Sequence, residues 1–164
     1  MSATEINSNV YEQGMLALMS SIEYIRVSKN TFPTIAALKA RRIEQRRDNV
    51  LVIVEDNLGD AVLLSEAVKE NFPGVQIITC NTVRCAYHEL AKGAKWMVVD
   101  WSLPDGPPLS LLGAATETGV KVCVWSSTMI LSRLGIPVFN KEELTPVVDW
   151  LKKIKPSGIC NSKY

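Results

Sequence analysis

The chain has 164 residues, of which 47% are hydrophobic and 21% are charged, which is an ordinary globular composition for one domain with its own core. The formal net charge of +1 gives no general argument for a polyanionic partner. No apolar segment approaches the length of a membrane span, and the N-terminus has no basic region leading into an apolar run, so we expect a soluble cytoplasmic protein. The four cysteines lack metal-ligand spacing and the single histidine, His88, lies in a predicted helix, which disfavours a zinc site and predicts free thiols.

Two helices are predicted before residue 49. The first covers about 10–28, because its apolar residues recur at three- and four-residue spacing. The second begins at Pro33, a residue favoured in the first turn of a helix, and runs to about Arg47. We therefore assign 1–48 to an N-terminal helical extension. The stripe of the first helix consists of Met15, Leu18, Met19, Ile22 and Ile25.

The function of this extension has several interpretations. Its apolar stripe needs a partner, which favours a homodimer or intramolecular docking through the N-terminal helices. Five of the seven basic residues of 1–49 lie in "KARRIEQRR", 39–47, a run that would also suit phosphate contacts. A solvated charged face is the usual explanation of such a run, so nucleic-acid binding is the less favoured alternative. Its contacts would be Arg41, Arg42, Arg46 and Arg47.

After residue 48, strands and helices alternate. Short apolar runs that each precede a helical segment are typical of parallel strands covered on both faces. We predict an α/β fold, a flavodoxin-like doubly wound five-stranded parallel sheet, over 49–155, followed by a tail, 156–164. In the first helix of this domain we expect Val62, Leu63, Ala67 and Val68 to face inward. The predicted strands are 50–54, 75–80, 96–100, 120–125 and 136–139, and the helices are 57–72, 82–93, 108–117 and 142–154.

Polar residues follow four of the five strands. Parallel strands bring their carboxyl ends to one edge, where open α/β sheets bind ligands. Three carboxylates crowded there would repel one another unless a hard cation such as Mg²⁺ lay between them, and a hydroxyl and an ammonium would suit a phosphoryl group. The alternative for Asp100 is a structural cap on the following loop. The residues are Glu55 and Asp56 after the first strand, Asp100 after the third, Ser126 to Thr128 after the fourth and Lys141 after the fifth.

Four segments together resemble the receiver domain of two-component response regulators. They are "VLVIVEDN", "VVDWSLPDG", "VCVWSST" and "VFNKEEL", and the resemblance covers about 50–154. The acidic pair precedes Asp100 by 44 residues, as is usual in that family, and Asp-x-x-Leu-Pro is a common form of its acceptor loop. The resemblance implies a signalling domain rather than an enzyme, with Mg²⁺ as cofactor and a sensor histidine kinase or phosphotransfer protein as partner.

The resemblance also implies a role for each site residue. Asp100 would be the phosphoacceptor, and Asp56 and Asp100 would bind Mg²⁺. Glu55 would act on the metal through a coordinated water, and the backbone carbonyl of Ser102 would complete the shell. The residues implied to contact the phosphoryl group or to take part in switching are Ser126, its small neighbour Ser127 and Lys141.

The chain departs from the family pattern beyond the fourth strand. Lys141 follows Ser126 by only 15 positions, which implies a shortened fourth helix between the fourth and fifth strands. The position three before the lysine, often aromatic in the family, is Val138, and the proline that commonly follows the lysine is Glu142. These departures keep two alternatives open, a pseudo-receiver that works without phosphorylation and a DNA-binding regulator that uses the basic helix.

Overall fold

The computed structural model describes residues 34–44, 49–128 and 135–154, with the side chains of 41–44 excepted. The predicted helix at 10–28, the residues Arg46 and Arg47 and the predicted tail at 156–164 lie outside this part of the chain. The same holds for the side chains of Arg41 and Arg42 and for residues 129–134 of the connection between the last two strands. The interpretations of the basic run and of the extension therefore stay predictions.

From residue 50 to residue 126, strands and helices alternate in the described chain, because each short run rich in Val and Ile is followed by an amphipathic segment. One helix, α1 (Ile35–Glu44), precedes the first strand. The strands are β1 (Val50–Val54), β2 (Gln76–Cys80), β3 (Trp96–Val99), β4 (Lys121–Ser126) and β5 (Val138–Asn140). The helices between and after them are α2 (Leu58–Asn71), α3 (Val83–Ala91), α4 (Leu109–Glu117) and α5 (Thr145–Ile154).

The five strands form one parallel sheet in the order β2-β1-β3-β4-β5. Every residue of β1 and β3 is buried, as expected for central strands with helices on both faces. The chain thus has the flavodoxin-like doubly wound fold that the sequence predicts, with element bounds within about three residues of the predicted ones. None of the described helices is both long and apolar enough to cross a bilayer.

The core is split between the two faces of the sheet. On one face, side chains such as Leu51, Val98 and Trp125 pack with residues of α2 and α5. On the other face lie α3 and α4, which contact each other. The helix α1 contacts α3 and buries Leu38 completely, so it is part of the same compact unit, which begins at Thr34.

The rotation of α2 about its axis differs from the prediction. Val62 and Leu63 were expected to face inward, but they are 46% and 48% exposed. The buried residues are Ala61, Leu64, Ser65 and Val68, which follow the helical spacing from a start at the N-cap Asn57. The prediction was wrong because the run of apolar residues from 61 to 64 leaves the inward face ambiguous in the sequence.

Candidate functional site

Three carboxylates meet at the carboxyl ends of β1 and β3. These strands are neighbours in register, Val54 beside Val99, and the Asp100 N–H donates to the Val54 carbonyl at 2.8 Å. Glu55 and Asp100, which follow the two strands, are therefore adjacent and buried, while Asp56 is exposed. One oxygen from each of Glu55, Asp56 and Asp100 lies within 4.8 Å of the others.

Backbone N–H groups fix the two buried carboxylates in place. Glu55 Oε1 accepts from the N–H of Asn57 at 3.0 Å, and Asp100 Oδ1 accepts from the N–H of Trp101 at 2.7 Å. The Asn57 side chain in turn caps α2 by accepting from the N–H of Gly59. Glu55 is thus held between the end of β1 and the first turn of α2, and Asp100 is held at the start of the loop after β3.

Lys141 lies at the same end of the sheet and pairs with the carboxylates from the side of the edge strand β5. It directly follows β5, and its N–H donates to the Ser126 carbonyl at 3.2 Å. Its Nζ lies 2.6 Å from Glu55 Oε2, 3.0 Å from Asp60 Oδ2 and 3.3 Å from Asp100 Oδ2. One ammonium therefore compensates three carboxylates on three different segments of the chain.

Burial and ion pairing have opposite effects on the charges in this cluster. Burial raises the pKa of Glu55, and the nearby Asp100 adds to this, while the ion pair with Lys141 and the Asn57 N–H act against it. For Lys141, burial alone would lower the pKa, but the pairs with Glu55, Asp60 and Asp100 raise it to about 12. Lys141 is therefore charged at neutral pH.

The cluster has the donors that a hard cation prefers. Glu55, Asp60 and Asp100 pair with the Lys141 ammonium, and Asp56 lies next to Glu55 and Asp100, so the carboxylates outnumber the ammonium. Glu55 Oε2 is buried, and its partner is the Lys141 ammonium, whose Nζ lies 2.6 Å away. Oxygen ligands from one or two carboxylates, with water completing the shell, are the usual environment of Mg²⁺. Residues Glu55, Asp56 and Asp100 thus fit a divalent cation.

The hydroxyl residues of the site differ in exposure. Ser126, the last residue of β4, is buried, and its Oγ accepts from the N–H of Thr128 at 3.3 Å. Ser127 and Thr128 are exposed, and so is Ser102, two residues after Asp100. Ser126 is thus the hydroxyl that β4 holds at the sheet edge, while Ser127 and Ser102 lie on loops. The roles of all three stay predictions.

Two carboxylates in or near the site are not assigned by the sequence patterns. Asp60, in the first turn of α2, is one of the three partners of Lys141. Asp105, in the loop after Asp100, accepts from the N–H groups of Val83 and Arg84 at 2.8 and 3.0 Å. It therefore ties the loop after Asp100 to the start of α3. The available signal for Asp60 is its place in a first helical turn, where a carboxylate complements the helix dipole.

The comparisons with known proteins define the fold. No family model and no curated protein matches the chain. Among solved structures, the signal receiver domain of a putative LuxO repressor from Vibrio parahaemolyticus is 16% identical with a TM-score of 0.57, over 64% of this chain and 88% of that one. The phosphorylated cyanobacterial phytochrome response regulator RcpA is 18% identical with a TM-score of 0.54, and the match covers 68% of this chain and 96% of that one. The Mn²⁺-bound response regulator Rcp1 is 15% identical with a TM-score of 0.54, and the match covers 68% of this chain and 97% of that one. The described chain thus has the receiver-domain fold.

Proposed function

We propose that this chain is an atypical response-regulator receiver that accepts a phosphoryl group on Asp100 with Mg²⁺ and signals through protein–protein contacts. Its partner would be a sensor histidine kinase or a phosphotransfer protein in the cytoplasm. The N-terminal helices would carry the output, by dimerisation or by docking within the chain. In this proposal the chain is a phosphoacceptor and turns over no substrate of its own.

The observation that supports the proposal is the arrangement around Lys141. A receiver needs a nucleophilic carboxylate, acidic metal ligands and a cation for the incoming phosphoryl group at one point. Asp100, the pair Glu55 and Asp56, and Lys141 meet at the carboxyl edge of the sheet. The same fold occurs in a phosphorylated regulator and in a Mn²⁺-bound regulator, which agrees with this use of the site.

The transfer would proceed by in-line displacement. The Asp100 carboxylate attacks phosphorus, a new O–P bond forms, and the bond to the leaving group breaks with its electron pair. The Lys141 ammonium turns from the carboxylates to a phosphoryl oxygen, and the Ser126 hydroxyl donates to another. Mg²⁺ bound by Asp56 and Asp100, with Glu55 acting through water and the Ser102 carbonyl completing the shell, would supply charge neutralisation between the carboxylates and the phosphoryl oxygens. Ser127, as a small neighbour, leaves room for the group to enter.

Intact mass tests this proposal directly. The full chain is incubated with acetyl phosphate and Mg²⁺, and Asp100→Asn is treated in parallel. We expect the wild type, but not the variant, to gain the mass of one phosphoryl group. We expect the wild type to show no gain when a chelator replaces Mg²⁺ in the incubation. A gain of equal size in Asp100→Asn would contradict the assignment of the acceptor.

One observation favours a second candidate, a pseudo-receiver that switches by partner binding alone. Lys141 already pairs with Glu55, Asp60 and Asp100, so the buried charges are partly compensated without a metal. A folded wild type that gains no phosphoryl group from acetyl phosphate, and none from a mixture of histidine kinases, would establish this alternative.

A further inference from the structure

Two thiols meet at the turn between β2 and α3, outside the carboxylate cluster. Cys80 is the last residue of β2 and Cys85 lies in the first turn of α3. The Cys85 thiol donates to the Cys80 sulfur, and the two sulfur atoms are 2.6 Å apart. This separation is only about half an ångström longer than the covalent S–S bond of about 2.05 Å. Both thiols are free.

The turn itself holds the two sulfur atoms together. Thr82 is the N-cap of α3, and its side chain accepts from the N–H of Cys85 at 3.1 Å. The carboxylate of Asp105 accepts from the two preceding N–H groups at the same helix end, those of Val83 and Arg84. Because both ends of the turn are fixed, in a strand and in a capped helix, the thiols meet without backbone rearrangement.

The two thiols differ in access to solvent. Cys85 is partly exposed, whereas Cys80 is buried with 2% of its surface accessible. Burial, together with the neighbouring Cys85, raises the pKa of the Cys80 thiol, which keeps it protonated at neutral pH. A small oxidant would therefore reach Cys85 first, and Cys80 lies behind it as the second thiol.

We propose that Cys80 and Cys85 form a redox-active dithiol that a hydroperoxide converts to an intramolecular disulfide. The Cys85 sulfur attacks the peroxide, so that an S–O bond forms, the O–O bond breaks, and water or an alcohol leaves. The Cys80 sulfur then attacks the Cys85 sulfur, the S–S bond forms, and the hydroxide leaves as water with the Cys80 proton. Two thiols are oxidised and one hydroperoxide is reduced to alcohol and water.

Two hydrogen bonds connect the segments of the thiol pair with segments of the carboxylate site. The Cys80 carbonyl accepts from the Glu55 N–H at 2.7 Å, and the helix end next to Cys85 is held by Asp105 from the loop after Asp100. A disulfide would therefore tie together the segments that carry Glu55 and Asp105. Formation of the disulfide requires neither a metal nor a phosphoryl group, so it can be tested independently of the function proposed above.

Peptide mapping of the full chain tests the proposal, because Arg84 lies between the two cysteines. Trypsin cleaves after Arg84 and separates 70–84, which contains Cys80, from 85–92, which contains Cys85. The chain is oxidised with hydrogen peroxide, quenched in acid, blocked with N-ethylmaleimide and digested. We expect the two peptides to be joined by a disulfide. We also expect that treatment of the folded, oxidised chain with dithiothreitol restores two thiols, which then react with maleimide after denaturation.

Two variants serve as matched controls. Cys85→Ser should lose the joined peptide and retain a reduced Cys80, while Cys160→Ser should form the joined peptide as the wild type does. Peptides 70–84 and 85–92 recovered unlinked, at a peroxide concentration that oxidises a free dithiol, would overturn the proposal. A disulfide from Cys85 to Cys160 or to a second chain would overturn it as well, as would a link that dithiothreitol opens only after unfolding. The wild-type map decides the matter even where a variant fails to fold.

Discussion

The centre of the sheet and its β5 edge contribute to the site in different ways. β1 and β3 are buried along their whole length and deliver the carboxylates, whose positions are fixed by backbone N–H groups. β5 has three residues, none of them fully buried, and delivers Lys141 alone. The well-packed centre of the sheet thus fixes the buried carboxylates, while the short edge strand positions the lysine that pairs with them.

The largest expected effect tests the difference in packing. Ile53→Ala, on β1, removes a side chain that is 1% exposed and should lower the free energy of unfolding by about 3 kcal/mol, from lost burial and the cavity left behind. Val138→Ala, on the half-buried edge strand, should cost less than about 1 kcal/mol. Urea denaturation followed by circular dichroism measures both. Equal losses would remove the contrast between the two regions.

Removing Lys141 breaks the link between the regions. Lys141→Met leaves the buried Glu55 and Asp100 without their cation, which should cost about 2–3 kcal/mol near neutral pH. The matched control is Lys152→Met, because Lys152 pairs with Asp149 at the surface, where the change should stay within about 0.5 kcal/mol. Thermal unfolding in a chelator compares the two variants, and a Lys141 variant as stable as the Lys152 variant would contradict the role of the cluster.

The pH dependence of that loss follows from the pKa shifts. The folded pKa of Lys141 is raised above 10.5 to about 12, so its stabilising contribution is complete below 10.5 and is lost as the pH rises through 12. The folded pKa of Glu55 is raised above 4.5, so the folded state binds the proton more tightly and stability falls as the pH rises from 4.5 through that raised value. The penalty of Lys141→Met should therefore shrink towards acid pH, where Glu55 is protonated. Unfolding curves at pH 4 and pH 7 measure this difference.

Addition of Mg²⁺ tests whether the carboxylates at the ends of the central strands bind a cation. At free Mg²⁺ ten times the dissociation constant, binding to the folded state alone should stabilise the wild type by about 1.4 kcal/mol. Asp56→Asn removes the exposed carboxylate of the cluster without opening a cavity and, if the cation binds there, should abolish this gain. The melting temperature with Mg²⁺ and with a chelator gives both values. An unchanged gain in Asp56→Asn would place the cation elsewhere.

The smallest expected effect concerns the loop after Asp100. Asp105→Ala removes the carboxylate that accepts from two N–H groups of α3 and should cost about 1 kcal/mol, as for loss of an N-cap. Asp149→Ala, which removes a surface carboxylate of α5, serves as the comparison and should change stability by less than half as much. Hydrogen exchange at the first turn of α3 should rise in the Asp105 variant only.

The sheet and the grouping of the carboxylates follow from simple patterns in the sequence. Apolar runs identify parallel strands, and parallel strands end at one edge, which brings Glu55 and Asp100 together. Whether these residues take a phosphoryl group stays a prediction. The contacts of Asp60 and Asp105 could not be predicted in this way, because each joins segments that are remote in the sequence, Asp60 with Lys141 and Asp105 with the start of α3.

Side-chain direction was the other obstacle. Val62 and Leu63 lie in a run of four consecutive apolar residues, 61–64, which leaves the inward face of α2 ambiguous in the sequence. The contact of Cys80 with Cys85 could not be predicted, because a spacing of five positions matches no metal or redox motif and brings the two sulfur atoms together only across a strand-to-helix turn.

The ion pair of Lys141 with Asp60 has a consequence for synthesis of the chain. The two residues are 81 positions apart, so the contact forms only after β5 has left the ribosome. Until then, a nascent chain that has already paired β1 with β3 carries Glu55 and Asp100 without their cation. Because closing a loop of 81 positions is entropically costly, we expect these pairs to form late in folding, so that Lys141→Met accelerates unfolding and hardly changes the rate of folding.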